Sequence, residues 1–312
     1  MNFSKKISVW RISRLNKVEK NKVNIMGIYK SQDGKEESLA LYDKQLLKLN
    51  MPFSDIYVKT SFGKTHLVET GNKAGKPLLV FHGGNATTAY NLLMCQFLLN
   101  DFHIYAVDTI GHPGKSDEVC LSHKGYEYGK WASEVIDKIG YDSIACLGGS
   151  FGGGILAKLM CIAPSKIDKA VLIVPAGISN AVPVSSIAML LPLLQYRITK
   201  REKYLVKTAL YMALREEVLD EDTINILKNS FDNVKIKAAM PTNIEKKRLS
   251  GYCSPTLIIA SEKDCLFPAR KVLRRAGKMI SDCQLVELKE SGHMHILPQA
   301  EKERIVEFLR KD

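Results

Sequence analysis

Residues 144–158, IACLGGSFGGGILAK, restrict the fold of this chain more than any other stretch. A short apolar run, Ile144 to Leu147, meets five glycines set around Ser150 and Phe151, and Ile155 to Lys158 then reads as helix. Glycine inside a strand or helix costs roughly 0.5–1 kcal/mol relative to alanine, so five of them need a physical cause. A serine on a tight, strained strand-to-helix turn supplies one. Its hydroxyl points off the end of the sheet, and a Cβ two residues before or after it would collide with a crossing backbone. Gly148-Gly149-Ser150-Phe151-Gly152 has the G-x-S-x-G spacing in the strand–turn–helix setting that such a nucleophile turn requires. Gly153 and Gly154 extend the expected close helix–strand contact.

The surrounding sequence predicts a parallel sheet. Residues 56–60 and 64–69 read as a hairpin around Ser61-Phe62-Gly63. Strands are then expected at 77–81, 102–108, 143–148, 169–175, 255–261 and 283–289, separated by helices and short joints, the signature of βαβ units. The alternation pauses over 178–250, where three helix-like stretches carry no obvious buried strand. This predicts one α/β core, 51–177 and 251–312, interrupted by a helical cap insertion, 178–250, and preceded by a basic extension and lead-in helix, 1–50. The lead-in helix, KEESLALYDKQLLKLNMP, is expected to stop at Pro52.

Several function classes are excluded. GGSFGG does not fit G-x-G-x-x-G in either frame, so a dinucleotide site fails. GHPGKS at 111–116 has Thr109 where a P-loop needs its first glycine, which leaves packing beside the serine turn as its expected role. The seven cysteines are scattered without a C-x-x-C pair, against a disulfide framework or a zinc site. The chain holds no apolar stretch of the ~18–20 residues a membrane span needs, and its N-terminus lacks the apolar core of a signal peptide. A cytoplasmic location is the expectation.

Net charge is +12, and residues 1–22 carry seven Lys or Arg against one Glu, half of that total. The arm suits weak contact with an anionic surface. Because the remaining charge is dispersed, no nucleic-acid partner is expected.

A serine nucleophile needs a base, and the base an orienting acid. Asp264 follows the strand PTLIIAS, with Glu262 as its rival; His293 follows CQLVELK, with His295 as its rival. Each falls at the C-terminal edge of a parallel strand, in the chain order Ser, Asp, His. HGGN at 82–85 follows strand 77–81, so the Gly84 N–H can join that of Phe151 as an oxyanion hole, while His82 reads as a structural hydrogen-bonder. Met189, Tyr196, Tyr204, Tyr211 and Met212 of the insertion could line an acyl pocket or form core between its helices.

These motifs, with DTIGHPGKS at 108–116, SEKD at 261–264 and SGH at 291–293, resemble the α/β-hydrolase superfamily over about residues 56–310. They are most similar to small bacterial carboxylesterases of the naproxen-esterase type. The resemblance implies an α/β-hydrolase fold with a helical cap, and Ser150 as nucleophile, His293 as base and Asp264 as acid. It also implies Gly84 and Phe151 as oxyanion donors, no metal or organic cofactor, and a small-molecule ester as substrate. The loop after Asp108 departs from the D-x-x-G-x-G-x-S pattern by one residue, at His112-Pro113.

Other chemistries of the same fold are proline-type aminopeptidase, C–C-bond hydrolase, thioesterase and lactonase; a non-catalytic binding protein is the alternative of another class. An Arg common to the proline enzymes is replaced by Ile110. A base that must be neutral predicts activity that declines below a pH of about 6.5.

Overall fold

Apolar residues alternate between the two sides of every central strand, and each set has its own layer of helices to meet. The computed structural model describes residues 27–180, 187–235 and 239–311; the basic arm over 1–22 lies outside the described residues. Eight strands form one sheet: β1 (Phe53–Thr60), β2 (Gly63–Gly71), β3 (Lys76–Phe81), β4 (Phe102–Val107), β5 (Ile144–Gly149), β6 (Ile167–Ile173), β7 (Thr256–Ser261) and β8 (Cys283–Leu288). Their order is β1-β2-β4-β3-β5-β6-β7-β8. Only the β1–β2 and β2–β4 pairings are antiparallel.

Leu79, Phe81, Cys146 and Ile258 face a layer that includes helices α3 (Glu127–Lys138), α4 (Phe151–Ile162) and α8 (Ala269–Met279). Leu78, Val80, Leu147 and Ile259 face the opposite layer, which includes α1 (Gln32–Leu47), α2 (Thr88–Met94) and α9 (Gln299–Arg310). A strand period of two thus fills two cores at once, as a sheet covered on both faces requires. Burial pushes the Cys95 thiol up to about 12 and raises that of Cys146, so both behave as small apolar residues.

The strand order decides where a site can form. From β3 the chain steps outward to β4, then crosses back to β5 on the other flank of β3. The helices that follow β3 and β5, α2 and α4, therefore leave on opposite faces. Their first turns diverge and a crevice opens at the C-terminal ends of these two strands. HGGN follows β3 and Ser150 follows β5, so both motifs reach that crevice from adjacent strands.

Between β6 and β7 lie α5 (Ile187–Thr199), α6 (Glu202–Ala213) and α7 (Glu221–Asn233), the helical insertion expected from the sequence. Tyr196, Leu205 and Ile224 form a small core of their own, with Tyr204 beside it. Tyr196 and Tyr204 thus belong to the packing among the cap helices. The insertion is clasped by the lead-in segment: Tyr29 bridges Val234, Asn229 donates to Ser38 Oγ (3.0 Å), and Lys48 pairs with Asp222 (2.7 Å). α1 begins earlier than the sequence indicated, because Ser31 caps it by accepting from the Gly34 N–H (3.0 Å). It also ends before Pro52, at Leu47, with Asn50 in the left-handed region at φ 50°.

Candidate active site

Ser150 is held at φ 48°, ψ −112°, a conformation that a residue with a side chain avoids. Backbone bonds fix it there. Its N–H donates to Ile173 O (2.9 Å), and its carbonyl accepts from Ala176 N (3.0 Å) and Gly154 N (3.1 Å). A Cβ on Gly148 would lie 2.5 Å from Gly152 O, and one on Gly152 would lie 2.3 Å from Phe81 O, so both expected collisions are present. Gly153 makes way for Pro175 and for the Gly148 carbonyl of β5, as a close helix–strand contact requires, whereas Gly154 makes way for Pro241; Gly149 faces open space.

Ser150 Oγ lies 3.0 Å from His293 Nε2, and His293 Nδ1 lies 2.8 Å from Asp264 Oδ2. The second Asp264 oxygen accepts from the N–H groups of Leu266 (2.7 Å) and Phe267 (2.9 Å). Burial alone would raise the Asp264 carboxyl, but the His293 imidazole and these two amides outweigh it and hold the group below its ordinary value. The acid therefore remains a carboxylate at neutral pH and fixes His293 with Nδ1–H toward it, leaving Nε2 free to accept from the serine. Phe267 meets the imidazole edge-on at 5.3 Å and limits its rotation.

The rivals have other duties. Glu262 accepts from the Glu290 N–H on the surface, and His295 Nδ1 faces the His293 carbonyl (3.1 Å).

The turn after β3 sits opposite. A Cβ on Gly83 would lie 3.8 Å from the Ser150 Cβ, and one on Gly84 would lie 3.4 Å from the Phe151 Cβ. Phe151 opens α4, so its N–H has no acceptor one helical turn earlier. His82 is structural, as expected: Nδ1 meets Gly83 O (2.7 Å) and Nε2 accepts from Thr109 N (3.0 Å). His112 lies against Phe151 with ring centroids 4.4 Å apart, and its Nδ1 accepts from the Asn85 N–H at 3.4 Å. The extra residue of the Asp108 loop thus touches both sides of the crevice.

Further residues complete the surroundings, and of these the sequence singles out only Met212. Met240, on the return from the insertion, lies beside Gly84, and the Met212 carbonyl accepts from Met294 N (3.0 Å). The same carbonyl bears directly on Gly292, next to the histidine, with Leu214 beside it. No periodicity marks such contacts, because each joins segments distant in sequence.

A family model for the alpha/beta hydrolase fold matches residues 76–299. The chain belongs to the α/β-hydrolase family. Within that family, carboxylesterase YbfK of Bacillus subtilis is 25% identical over 277 residues, covering 86% of this chain and 92% of its own length. The uncharacterized carboxylesterase nap of the same organism is 22% identical over 281 residues, covering 87% and 91%. The crystal structure of naproxen esterase from B. subtilis shares the fold with a TM-score of 0.75 at 20% identity, over 89% of this chain and 99% of that one. In this α/β-hydrolase the Ser150–His293–Asp264 relay has the arrangement of a catalytic triad suited to acyl-enzyme chemistry, and the chain is an enzyme of the serine-hydrolase type.

Proposed function

We propose that this chain hydrolyses small carboxylic esters through an acyl-enzyme on Ser150. The observation that carries the reading is the unbroken relay from Ser150 through His293 to Asp264 at the sheet's switch point. The likeness to carboxylesterases over most of the chain supports it.

In the first half-reaction His293 Nε2 takes the hydroxyl proton as Ser150 Oγ bonds to the carbonyl carbon. The N–H groups of Gly84 and Phe151 receive the charge that gathers on the carbonyl oxygen. The ester C–O bond breaks as His293 returns the proton to the leaving alcohol. Water then attacks the acyl-enzyme by the same relay, and the acid departs. Asp264 stays ionised throughout and steadies the imidazolium. Residues 178–250 act as the cap domain over the core, with Met240 and Leu214 at its contact with the crevice.

The protein is read as cytoplasmic; among the described residues no helix is long and apolar enough to cross a membrane. The arm over 1–22 would add weak contact with an anionic surface.

A graded series of p-nitrophenyl esters tests the substrate class. Turnover of short esters that falls with acyl length is the expected result, because the Met240 side chain stands against the Gly84 turn. Silence on every ester, with turnover of a thioester or a C–C substrate, would move the chain to another chemistry of the family.

His112 offers a finer check. Its ring braces Phe151 and the turn that holds Gly84, so His112→Ala should lower kcat about ten- to a hundredfold with little change in KM. Burial pushes this imidazole down to about 3, with His82 adding to the effect. The ring is already neutral across the working range, so the ratio of variant to wild-type kcat should stay flat from about pH 5 to 9. A ratio that titrates near neutrality would make His112 a proton-transfer group instead.

A further inference from the structure

Helix α5 is apolar on two sides, and among the described residues only one of them packs against a neighbour. Pro192 and Tyr196 are buried, with Tyr196 packed against Leu205 of α6. On the opposite side Leu190, Leu191, Leu194 and Ile198 fall on an arc of roughly 100° at helical spacing. They are 61%, 64%, 55% and 74% exposed, high values for four large aliphatic residues on one helix face. The helix contains no acidic residue. Arg197 lies at the edge of the arc, and Lys200, Arg201, Lys203 and Lys207 follow it on the surface, opposed by Glu202 and by Asp232, which pairs with Lys200 (2.6 Å).

We propose that this face of α5 is a docking surface for an anionic lipid bilayer, with Leu190, Leu191, Leu194 and Ile198 entering the interface and the neighbouring cations meeting headgroup charge. Charge selects this occupant. A second copy would bring the same cationic rim on a chain of net charge +12, and the basic arm over 1–22 would meet like charge as well. The exposed arc offers aliphatic side chains with no hydrogen-bonding group among them, which suits acyl chains better than a polar protein surface. The cations beside it give the positive rim that draws a basic amphipathic helix onto an anionic interface.

The test is sedimentation of the full-length protein with vesicles of phosphatidylcholine alone or mixed with phosphatidylglycerol, a readout that does not depend on ester hydrolysis. Wild type should bind the mixed vesicles. The triple variant Leu190→Ser, Leu194→Ser, Ile198→Ser should partition about a hundredfold more weakly, with an unchanged unfolding midpoint. Arg197→Glu with Arg201→Glu should weaken binding to the mixed vesicles about tenfold and leave the phosphatidylcholine background alone.

A full-length variant with Lys5, Lys6, Arg11 and Arg14 changed to Gln separates the arm from the helix. Binding lost in that variant and kept in the triple variant would assign the contact to the arm and overturn the proposal. A dimer that dissolves in the triple variant while vesicle binding persists would assign the face to a second copy and overturn it equally.

Discussion

Ser150→Ala should lower ester turnover by about 10⁴- to 10⁶-fold while leaving the protein folded. Without the hydroxyl there is no oxygen to carry the acyl group, and what survives is the contribution of binding and of the proposed oxyanion donors, Gly84 and Phe151. The effect on stability should be small. The strain at φ 48° stays with the backbone, and the variant loses one hydrogen bond, to His293. Asp264→Asn should fall short of this, by about 10³- to 10⁴-fold. The amide leaves the imidazole in place but can favour the tautomer that turns a proton toward Ser150. Stopped turnover in Ser150→Ala, and a fluorophosphonate adduct on the wild-type peptide containing Ser150 that is absent from the variant, are the expected results. Turnover within tenfold of wild type would remove Ser150 from the nucleophile's place and with it the acyl-enzyme reading.

The triad was legible in the sequence because its determinants are local. Ser150 is announced by glycines whose absent Cβ atoms mark backbone crossings, and two of those crossings, at Phe81 and Gly152, appear in the structure where spacing placed them. Asp264 and His293 each follow a run of strand residues, and strand ends at one sheet edge converge whatever lies between them. Contacts made across the chain left no such trace. Gly154 reads as close helix–strand packing, yet its neighbour is Pro241, returning from the insertion. The start of α1 at Gln32 was hidden because Gly34 is a poor helix former, and the Ser31 capping bond and the clasp on α7 override it. The surroundings of Asp108 were the least legible. The motif DTIGHPGKS predicted a packing loop, but nothing in it names Tyr42 or His66 as partners, which come from α1 and β2.

Those partners make Asp108 the position where a single substitution should cost most in stability. The carboxylate is fully buried and accepts from Tyr42 Oη (3.1 Å), His66 Nδ1 (2.7 Å) and Lys115 N (2.8 Å). Gly114 lies so close that a Cβ there would sit 2.6 Å from the Asp108 Cγ. Asp108→Ala would strand three donors from three segments of the chain in a dry interior, a loss of about 3–5 kcal/mol. Burial alone would raise this carboxyl, yet the hydrogen bond and charge of His66 and the Lys115 amide hold it below its ordinary value. A carboxyl lowered in the folded state stabilises fully above its unfolded value of about 4 and loses that contribution as pH falls through the lower folded one. Urea unfolding should therefore show a gap between wild type and Asp108→Ala that is widest near pH 7 and narrows below about pH 4. A gap that ignores pH would place the loss in packing and not in the charge. The same substitution should also reduce kcat under conditions where the variant remains folded, because the loop that Asp108 anchors carries His112 to the turn holding Gly84 and to Phe151. The buried acid outside the catalytic relay thus reaches the reaction through the loop it holds.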